Sequence, residues 1–269
     1  MKIKPKHVLI VGGGSGIGLA TAKCILENDV SSVILAGRKK ERLIKAREEL
    51  ISSVKRDDIA DSIVTKVFDI TDVKNHLNFI SVLNEEIFAT YKEALDGLII
   101  SSGTNFNSAN WKGFNITESD YDRVMNINLR GPFFLIRNFS NFIIEHKSRA
   151  NICVVSSISA HRDMIGAYQI SKNVLSGIVD AFGKHLVKRG IILNCVEPGT
   201  TDTDMMPHLK QYTDGVREGL LWKDNAIRRV IRPEEIAETI AFLISDHSEL
   251  LAGTCLLAGG GCVSISRGY

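Results

Sequence analysis

Short, uninterrupted apolar runs alternate along the chain with longer segments that mix apolar and polar residues at helical spacing. Runs of this kind are typical of strands buried in a parallel sheet between layers of helices. The runs that predict strands are His7–Val11, Ser32–Ala36, Ser62–Val67, Gly97–Ile100, Asn151–Val155, Ile191–Val196 and Cys255–Ala258. The segments that predict helices are Gly16–Asn28, Lys40–Ser53, Thr71–Thr90, Thr117–His146, Ile165–Lys188 and Pro233–Ser245. This alternation predicts a single α/β domain over 1–269, built on one doubly wound parallel sheet of the Rossmann type.

One stretch does not follow this alternation. Thr203–Arg228 is mixed in pattern and lies between the last two predicted strands, before the last predicted helix. A long irregular excursion from a compact domain is usually functional and often covers a binding site. We therefore expect a substrate lid at about residues 203–228.

Composition and charge narrow the class of protein. Among 269 residues, 33 Lys and Arg stand against 31 Asp and Glu, a formal net charge of +2, so neither a nucleic-acid nor a membrane partner is indicated. Because no apolar stretch approaches the ~20 residues of a membrane-spanning helix, we expect a cytoplasmic protein. The motifs described next add the expectation of a small-molecule substrate. The five cysteines include no C-x-x-C pair. We interpret them as buried small apolar residues and expect no metal, a metal site or a reactive thiol being the alternative.

A glycine-rich loop follows the first predicted strand and opens the first predicted helix. Glycines let the backbone turn sharply and approach a pyrophosphate, and the free N–H groups of a helix start attract negative charge. The loop therefore predicts a dinucleotide-binding site, the alternative being a tight turn that binds no ligand. Its candidate cofactor residues are Gly12, Gly14, Ser15, Gly16, Ile17 and Gly18.

The end of the second predicted strand indicates which dinucleotide binds. An acid at this point suits a free ribose 2′-hydroxyl, whereas a cation suits a 2′-phosphate. No carboxylate occurs between Ser31 and Lys40, while Arg38, Lys39 and Lys40 are consecutive cations. The pattern favours NADP(H) over NAD(H), with Arg38 and Lys39 as candidate ligands. The alternative is that these cations form only a solvated helix start.

A second group of residues, later in the chain, has the pattern of an acid–base site. Tyr168 and Lys172 are four residues apart, which places them on one face of a helix. A lysine ammonium beside a phenol would lower the phenol pKa from ~10 toward the working range of a proton-transfer group. Ser156 and Ser157 close the fifth predicted strand at its carboxyl end, where open α/β sheets bind ligands. These residues predict proton transfer at a substrate oxygen that a serine hydroxyl holds.

With these motifs in this order, the chain resembles the short-chain dehydrogenase/reductase family over essentially its whole length. The glycine motif, the Tyr168–Lys172 pair and the helix motif around Asn128 carry the resemblance. It implies an oxidoreductase that interconverts a ketone or aldehyde and an alcohol with a nicotinamide cofactor. The further cofactor-binding residues that it implies are Asp69, Ile70, Ser102, Gly103, Tyr168, Lys172, Pro198, Gly199, Thr201 and Thr203.

The resemblance also implies four catalytic residues. Tyr168 would be the general acid in reduction and the base in oxidation, and Lys172 would lower its pKa and bind the nicotinamide ribose. Ser157 would polarise the carbonyl, and Asn128 would hold the middle of its helix open for a proton-relay water. Because the gap from Ser157 to Tyr168 is slightly shorter than usual for the family, Ser156 remains an alternative for the serine role.

The substrate is less constrained than the reaction. We expect substrate contacts in Ser159–Ala167, in Asn105–Asn115 and in the lid, where Arg162 would pair an anionic substrate group or be a solvated loop charge. By resemblance, a 3-oxoacyl thioester, a ketone of secondary metabolism and a sugar-like polyol are all open. The alternatives of other classes are a non-catalytic nucleotide-binding protein and an epimerase or dehydratase. The helices Thr117–His146 and Ile165–Lys188 resemble those through which the family pairs subunits, which implies a homotetramer or homodimer.

Overall fold

The apolar runs form the strands of one sheet. The computed structural model describes residues 2–28, 30–105, 116–162, 166–205 and 225–262. Its strands are β1 (His7–Val11), β2 (Ser32–Gly37), β3 (Ile63–Val67), β4 (Gly97–Ile100), β5 (Ala150–Val155), β6 (Ile191–Pro198) and β7 (Cys255–Ala258). They lie in the order β3-β2-β1-β4-β5-β6-β7, and each neighbouring pair is parallel. The predicted doubly wound α/β sheet is confirmed.

The predicted helical segments are helical, with two differences described below. The helices are α1 (Gly16–Leu26), α2 (Lys40–Ser53), α3 (His76–Tyr91), α4 (Glu118–Met125), α5 (Gly131–Glu145), α6 (Ala167–Leu186) and α7 (Pro233–Leu243). Within the described ranges, none of them combines the length and the apolar character that crossing a bilayer requires.

The prediction of a helix beginning at Thr71 is wrong. The helix α3 begins at His76, after a single 3₁₀ turn at Val73–Asn75. Asp69 Oδ1 accepts hydrogen bonds from the Thr71 amide (2.9 Å) and the Thr71 hydroxyl (2.8 Å). Local side-chain bonds of this kind hold the backbone in a turn and compete with helix formation. The turn keeps Asp69 just beyond the carboxyl end of β3.

The long helix predicted over Thr117–His146 is not continuous. Between α4 and α5 the backbone widens into a π-helical segment, Asn126–Arg130. A π segment inside an α-helix is rare and frequently marks a functional site. Immediately after it, Gly131 approaches the carbonyl oxygen of Ile70, since a Cβ at Gly131 would lie 2.7 Å from that atom.

Two apolar cores cover the two faces of the sheet. One packs α1, α2 and α7 against residues such as Val8 and Ile10 of β1. The other packs α3, α5 and α6 against the alternate residues, such as Leu9 and Val11. The strand β1 lies between β2 and β4, so the chain reverses its direction across the sheet at this point. A crevice opens where such a reversal occurs, outside the carboxyl ends of the strands.

The helix α6 is held against the sheet by a contact between two glycines. A Cβ at Gly183 would lie only 2.4 Å from the Cα of Gly253, in the turn that precedes β7. Gly253 itself has a φ of +86°, a conformation that other residues rarely adopt. The two backbones therefore touch without intervening side chains.

The start of α7 confirms the prediction of a helix beginning at Pro233. The side chain of Glu235 accepts a hydrogen bond from the backbone N–H of Arg232 (2.9 Å), which caps the helix. The same carboxylate accepts hydrogen bonds from both terminal nitrogens of Arg229. This bidentate bond lowers the pKa of Glu235 from 4.5 to about 2.

We expect Glu235→Gln to lower the free energy of unfolding by about 1 kcal/mol at pH 7, since it removes a charge-assisted cap that is partly exposed to solvent. The folded-state pKa lies below the unfolded value, so this contribution is complete above pH 4.5 and is lost as the pH falls toward 2. Urea unfolding at several pH values measures it, with Glu234→Gln in the same helical turn as the control. If the free energies of unfolding of wild type and variant differ by the same amount from pH 7 to pH 3, the ionised Glu235 carboxylate does not stabilise the helix as assigned.

Candidate active site

The carboxyl ends of the central strands border one open groove of about 890 Å³. It joins the glycine loop to the start of α6, so the two predicted parts of the site face the same space. The predicted residues in its wall are Gly12, Gly14, Ser15, Gly16, Ile17, Arg38, Lys39, Asp69, Ile70, Ser102, Gly103, Ser157, Tyr168, Lys172, Pro198, Gly199, Thr201 and Thr203. Gly18 and Asn128 are buried behind the wall.

The glycine loop is shaped by backbone contacts that exclude side chains. Gly12 has a φ of +91°, and a Cβ there would lie 2.6 Å from the backbone nitrogen of Ser102. A Cβ at Gly18 would lie 2.3 Å from the carbonyl oxygen of Gly12. Gly18 therefore lets the first turn of α1 pack directly on the loop, while Gly12 lets the loop pack on the end of β4.

We expect Gly18→Ala to weaken dinucleotide binding by about 10- to 100-fold, because the new methyl group displaces the backbone of Gly12, at an overpacking cost of ~1–3 kcal/mol. Fluorescence titration with the reduced cofactor measures the affinity. Gly177→Ala is the matched control, since a Cβ at this helical glycine meets nothing within 4 Å. Equal affinities for the two variants would refute the assigned role of Gly18.

The candidate acid–base group lies at the other end of the groove. Tyr168 stands in the first turn of α6, and the side chain of Ser157 is close enough to its hydroxyl to favour the ionised phenol. The Ser157 Oγ also accepts the backbone N–H of Ser159 at 3.1 Å, which fixes its position. The structure thus brings together the serine and the tyrosine that the sequence predicts.

Lys172 is buried one turn along the same helix face. Its Nζ donates to the carbonyl oxygen of Val155 at 2.9 Å and lies 5.7 Å from the centroid of the Tyr168 ring. Burial penalises the ammonium and lowers the pKa of Lys172 from 10.5 to about 8.

The sequence predicts a lowered pKa for Tyr168, but in the structure the pKa of this phenol lies above its ordinary value. Burial raises it, and the nearby Ser157 side chain opposes that rise only in part. The physical reason is that removal from water disfavours the charged phenolate. The tyrosine is therefore a protonated hydroxyl at neutral pH, the form that a general acid requires.

Asn128 lies inside the π-helical segment and is buried. Its Oδ1 accepts the backbone N–H of Thr104 at 2.8 Å, and its Nδ2 donates to the Thr104 carbonyl at 2.8 Å. A further contact of 3.3 Å joins Nδ2 to the hydroxyl of Ser171 on α6. Asn128 therefore links the segment after β4 to the helix of Tyr168 from behind the groove wall.

The two adjacent serines have different environments. Ser156 donates to the carbonyl oxygen of Lys172 at 3.1 Å, and its Oγ lies 2.9 Å from the Ser176 Oγ. Its hydroxyl is thus engaged with α6, whereas the Ser157 Oγ accepts only a backbone N–H from the next turn, and Ser157 lines the groove with Tyr168. This difference favours Ser157 for the serine role.

A buried carboxylate next to the site is absent from the sequence prediction. Glu197, at the end of β6, accepts from the Ser176 hydroxyl at 2.7 Å and lies 2.6 Å from the Nε2 of His161. It is 1% exposed, and burying a carboxylate is costly unless such partners are present. An acid inside an apolar strand signals that partners exist, but nothing in the sequence indicates which residues they are.

A further cation joins the predicted basic turn. Arg42, in the first turn of α2, lines the groove beside Arg38 and Lys39. Its guanidinium forms an ion pair of 2.7 Å with Asp204 and lies 3.4 Å from the Ser15 Oγ. The sequence signal for Arg42 is its position in the first turn of the predicted helix Lys40–Ser53, directly after the run of cations.

Two of the five cysteines fit the interpretation as buried small apolar residues. Cys153 and Cys195 are buried in the sheet, whereas Cys24, Cys255 and Cys262 are partly exposed. The ligand atoms of Cys195, Cys255 and Glu197 lie within 4.8 Å of one another. Burial raises the pKa of the Cys195 thiol well above its ordinary value.

The predicted substrate segments are only partly described. Asn105, Ser159, Arg162, Gly166 and Ala167 line the groove. Residues 106–115 and 163–165 of these segments, and residues 206–224 of the lid predicted over 203–228, lie outside the described residues.

Comparisons with known proteins agree with this geometry. A family model described as enoyl-(acyl carrier protein) reductase matches residues 12–263. The chain is 28% identical over 267 residues to the 3-oxoacyl-(acyl-carrier-protein) reductase of Thermotoga maritima, covering 98% of this chain and 100% of that one. It is 24% identical over 262 residues to dehydrogenase/reductase SDR family member 4 of Rattus norvegicus, covering 96% and 88% respectively. A crystal structure of a variant actinorhodin polyketide ketoreductase with NADPH superposes with a TM-score of 0.80 at 22% identity, over 96% of this chain and 97% of that one.

Proposed function

Because this chain belongs to the short-chain dehydrogenase/reductase family, we propose that it uses NADP(H) to interconvert a carbonyl and an alcohol on a small organic substrate. The observation that carries the proposal is that Ser157, Tyr168 and Lys172 line one end of the groove together, with the Lys172 Nζ 5.7 Å from the centroid of the Tyr168 ring. The other end of the groove has the shape and charge of a dinucleotide site.

Each of these residues has a distinct task in carbonyl reduction. Ser157 donates to the substrate oxygen and holds it next to Tyr168, which gives its proton to that oxygen as negative charge develops there. Lys172 adds a positive charge within the site and steadies the phenolate that remains. In oxidation the same groups act in reverse. The bound cofactor supplies or accepts the hydride, while the protein orients the reactants.

The groove fits a dinucleotide in its polar groups. Ser102 Oγ is buried in the wall and, within the described part of the chain, has no hydrogen-bond partner. A ligand atom would satisfy it, as buried polar groups generally require. Gly14 and Gly16 present backbone to the groove, as phosphate binding needs. We assign Asp69 and Ile70 to the adenine end, the segment from Pro198 to Thr201 to the nicotinamide end, and Thr203 to the phosphates beside Gly16.

The charge of the groove supports NADP(H) over NAD(H). Arg38 and Lys39 line the adenine end, and no carboxylate follows β2 before Lys40. We expect kcat/KM for NADPH to exceed that for NADH by at least about 10-fold, since a charge-assisted bond to phosphate contributes ~1.5–3 kcal/mol. Steady-state rates with both cofactors measure the ratio. A ratio of one or less would refute the NADP(H) assignment while leaving the reaction class intact.

The substrate class that we propose is a ketone on an acyl or similar partly apolar carrier. Ile116, Ile158 and Met205 line the groove among polar residues, and one relative acts on 3-oxoacyl thioesters by its name. A panel of a 3-oxoacyl thioester, an aromatic ketone and a keto sugar, followed at the NADPH absorbance, distinguishes the candidates. Preference for the keto sugar would contradict this choice.

We expect Ser157→Ala to lower kcat by about 100-fold, because the substrate oxygen loses a donor that acts as charge develops. Ser156→Ala should retain most of the activity, since its hydroxyl bonds to the backbone of Lys172. Steady-state kinetics with circular dichroism as the folding control measure both. The reverse order of effects would transfer the serine role to Ser156.

A further inference from the structure

The ion pair between Arg42 and Asp204 joins two elements that both line the groove. Arg42 belongs to α2, whereas Asp204 follows β6 and is 162 residues away along the chain. Both side chains are partly exposed, at 49% and 41% respectively. An ion pair of that exposure contributes little to stability, so it can be exchanged for another partner at low cost.

The guanidinium of Arg42 lies between the glycine loop and the basic turn. Its Cγ would be 3.4 Å from a Cβ at Gly14, and its Nη1 is 3.4 Å from the Ser15 Oγ. Arg38 and Lys39 line the same part of the groove. Arg42 is thus placed among the groups to which we assign the phosphates of the adenosine half of the cofactor.

Asp204 stands in the middle of a short strap, Thr203–Met205, that crosses the glycine loop. Thr203 packs against Gly16, with its Cγ2 3.1 Å from the position of a Cβ there. Met205 lies at Gly103, with its Cε 3.6 Å from the corresponding Cβ position. Between these two contacts the Asp204 carboxylate is directed at Arg42. The strap therefore brings a negative charge to the end of the groove where the cofactor is most negative.

We propose that Arg42 is a specificity-determining ligand of the cofactor 2′-phosphate, and that Asp204 holds Arg42 in a salt bridge which that phosphate must displace. The inference rests on the proposed use of NADP(H). A phosphate dianion is a stronger partner for a guanidinium than a half-exposed carboxylate, because it carries more charge and more acceptor oxygens. Asp204 opposes binding twice: it occupies Arg42, and it repels the incoming phosphate. Asp204 lowers the affinity for NADP(H) and has little influence on NAD(H).

The test is a set of equilibrium titrations of NADPH and NADH on Arg42→Met, Asp204→Asn and the double variant. We expect Arg42→Met to weaken the binding of NADPH by about 10-fold or more and to leave the affinity for NADH within about twofold of wild type. We expect Asp204→Asn to tighten NADPH by about 3- to 10-fold, again with NADH little changed. In the double variant, replacing Asp204 should change the affinity for NADPH less than the same replacement does in the wild type. Lys45→Met, on the exposed side of α2, controls for the loss of one positive charge.

The outcomes separate this inference from the proposed function. If Arg42→Met weakens NADPH and NADH equally, or if Asp204→Asn fails to tighten NADPH, the inference is refuted although the wild type prefers NADPH. If the wild type binds NADH as tightly as NADPH, the proposed cofactor preference fails, and the inference fails with it. Thermal unfolding of each variant shows that the affinities are compared between folded proteins.

Discussion

Replacing Tyr168 with Phe should lower kcat by about 10³- to 10⁴-fold, while the affinity for NADPH stays within about twofold. The variant keeps the ring, which is partly buried in the groove wall, and loses only the hydroxyl. General acid–base catalysis contributes ~10²–10⁴-fold, and the loss of a donor to the developing oxyanion adds to it. Stopped-flow or steady-state absorbance measures turnover, and cofactor fluorescence measures binding.

Tyr121→Phe is the control for that experiment, because Tyr121 is a partly exposed tyrosine on α4 that does not line the groove. Its turnover should match wild type. If Tyr168→Phe retains turnover within tenfold, the proposed chemistry is refuted, and a protein that binds the nucleotide without catalysing a reaction becomes the better interpretation. A wild type with no turnover on the substrate panel that still binds NADPH would lead to the same conclusion.

The second large effect concerns Lys172 and pH. Burial lowers the pKa of Lys172 to about 8, so the free protein loses this positive charge as the pH rises through 8. We expect kcat/KM for NADPH to fall about tenfold per pH unit above this value, because that parameter reports groups of the free enzyme. Lys172→Met should lower kcat/KM by about 10²- to 10³-fold at pH 7, at ~1.4 kcal/mol per factor of ten, and should abolish the fall.

Lys184→Met provides the comparison, because Lys184 lies on the same helix but is exposed and paired with Asp180. Its pH profile should follow that of the wild type. A wild-type kcat/KM that stays constant up to pH 10, or a Lys172→Met variant that keeps the fall near pH 8, would show that another group titrates.

The sequence predicts the sheet well because its evidence is local. A buried parallel strand must be apolar on both faces, so each run is visible without knowledge of its neighbours. Helix starts are less certain where a side chain offers the backbone another partner. The bonds from Asp69 to Thr71 delay α3 until His76, and their geometry is not visible in the residue pattern.

The site is predictable where one short motif supplies the chemistry, as in the glycine loop and the Tyr168–Lys172 pair. It is not predictable where residues distant in the chain meet. The bonds of Glu197 to Ser176 and His161 depend on how β6, α6 and the loop after β5 pack. The raised pKa of Tyr168 likewise follows from its burial, a quantity that spacing along a helix does not give.

The contact between Gly183 and Gly253 has a consequence for the proton-transfer groups. Tyr168 and Lys172 sit near one end of α6, and Gly183 lies near the other, roughly 20 Å away at 1.5 Å per residue. A helix of this length moves as a stiff rod, so its position along the sheet is determined at Gly183, where backbone meets backbone and no side chain can adjust. The contact between Gly183 and Gly253 thus helps to set how far the Tyr168 hydroxyl lies from the cofactor groove. A methyl group added at Gly183 would push this end of α6 away from Gly253, and the resulting tilt of the helix would displace Tyr168 at the other end.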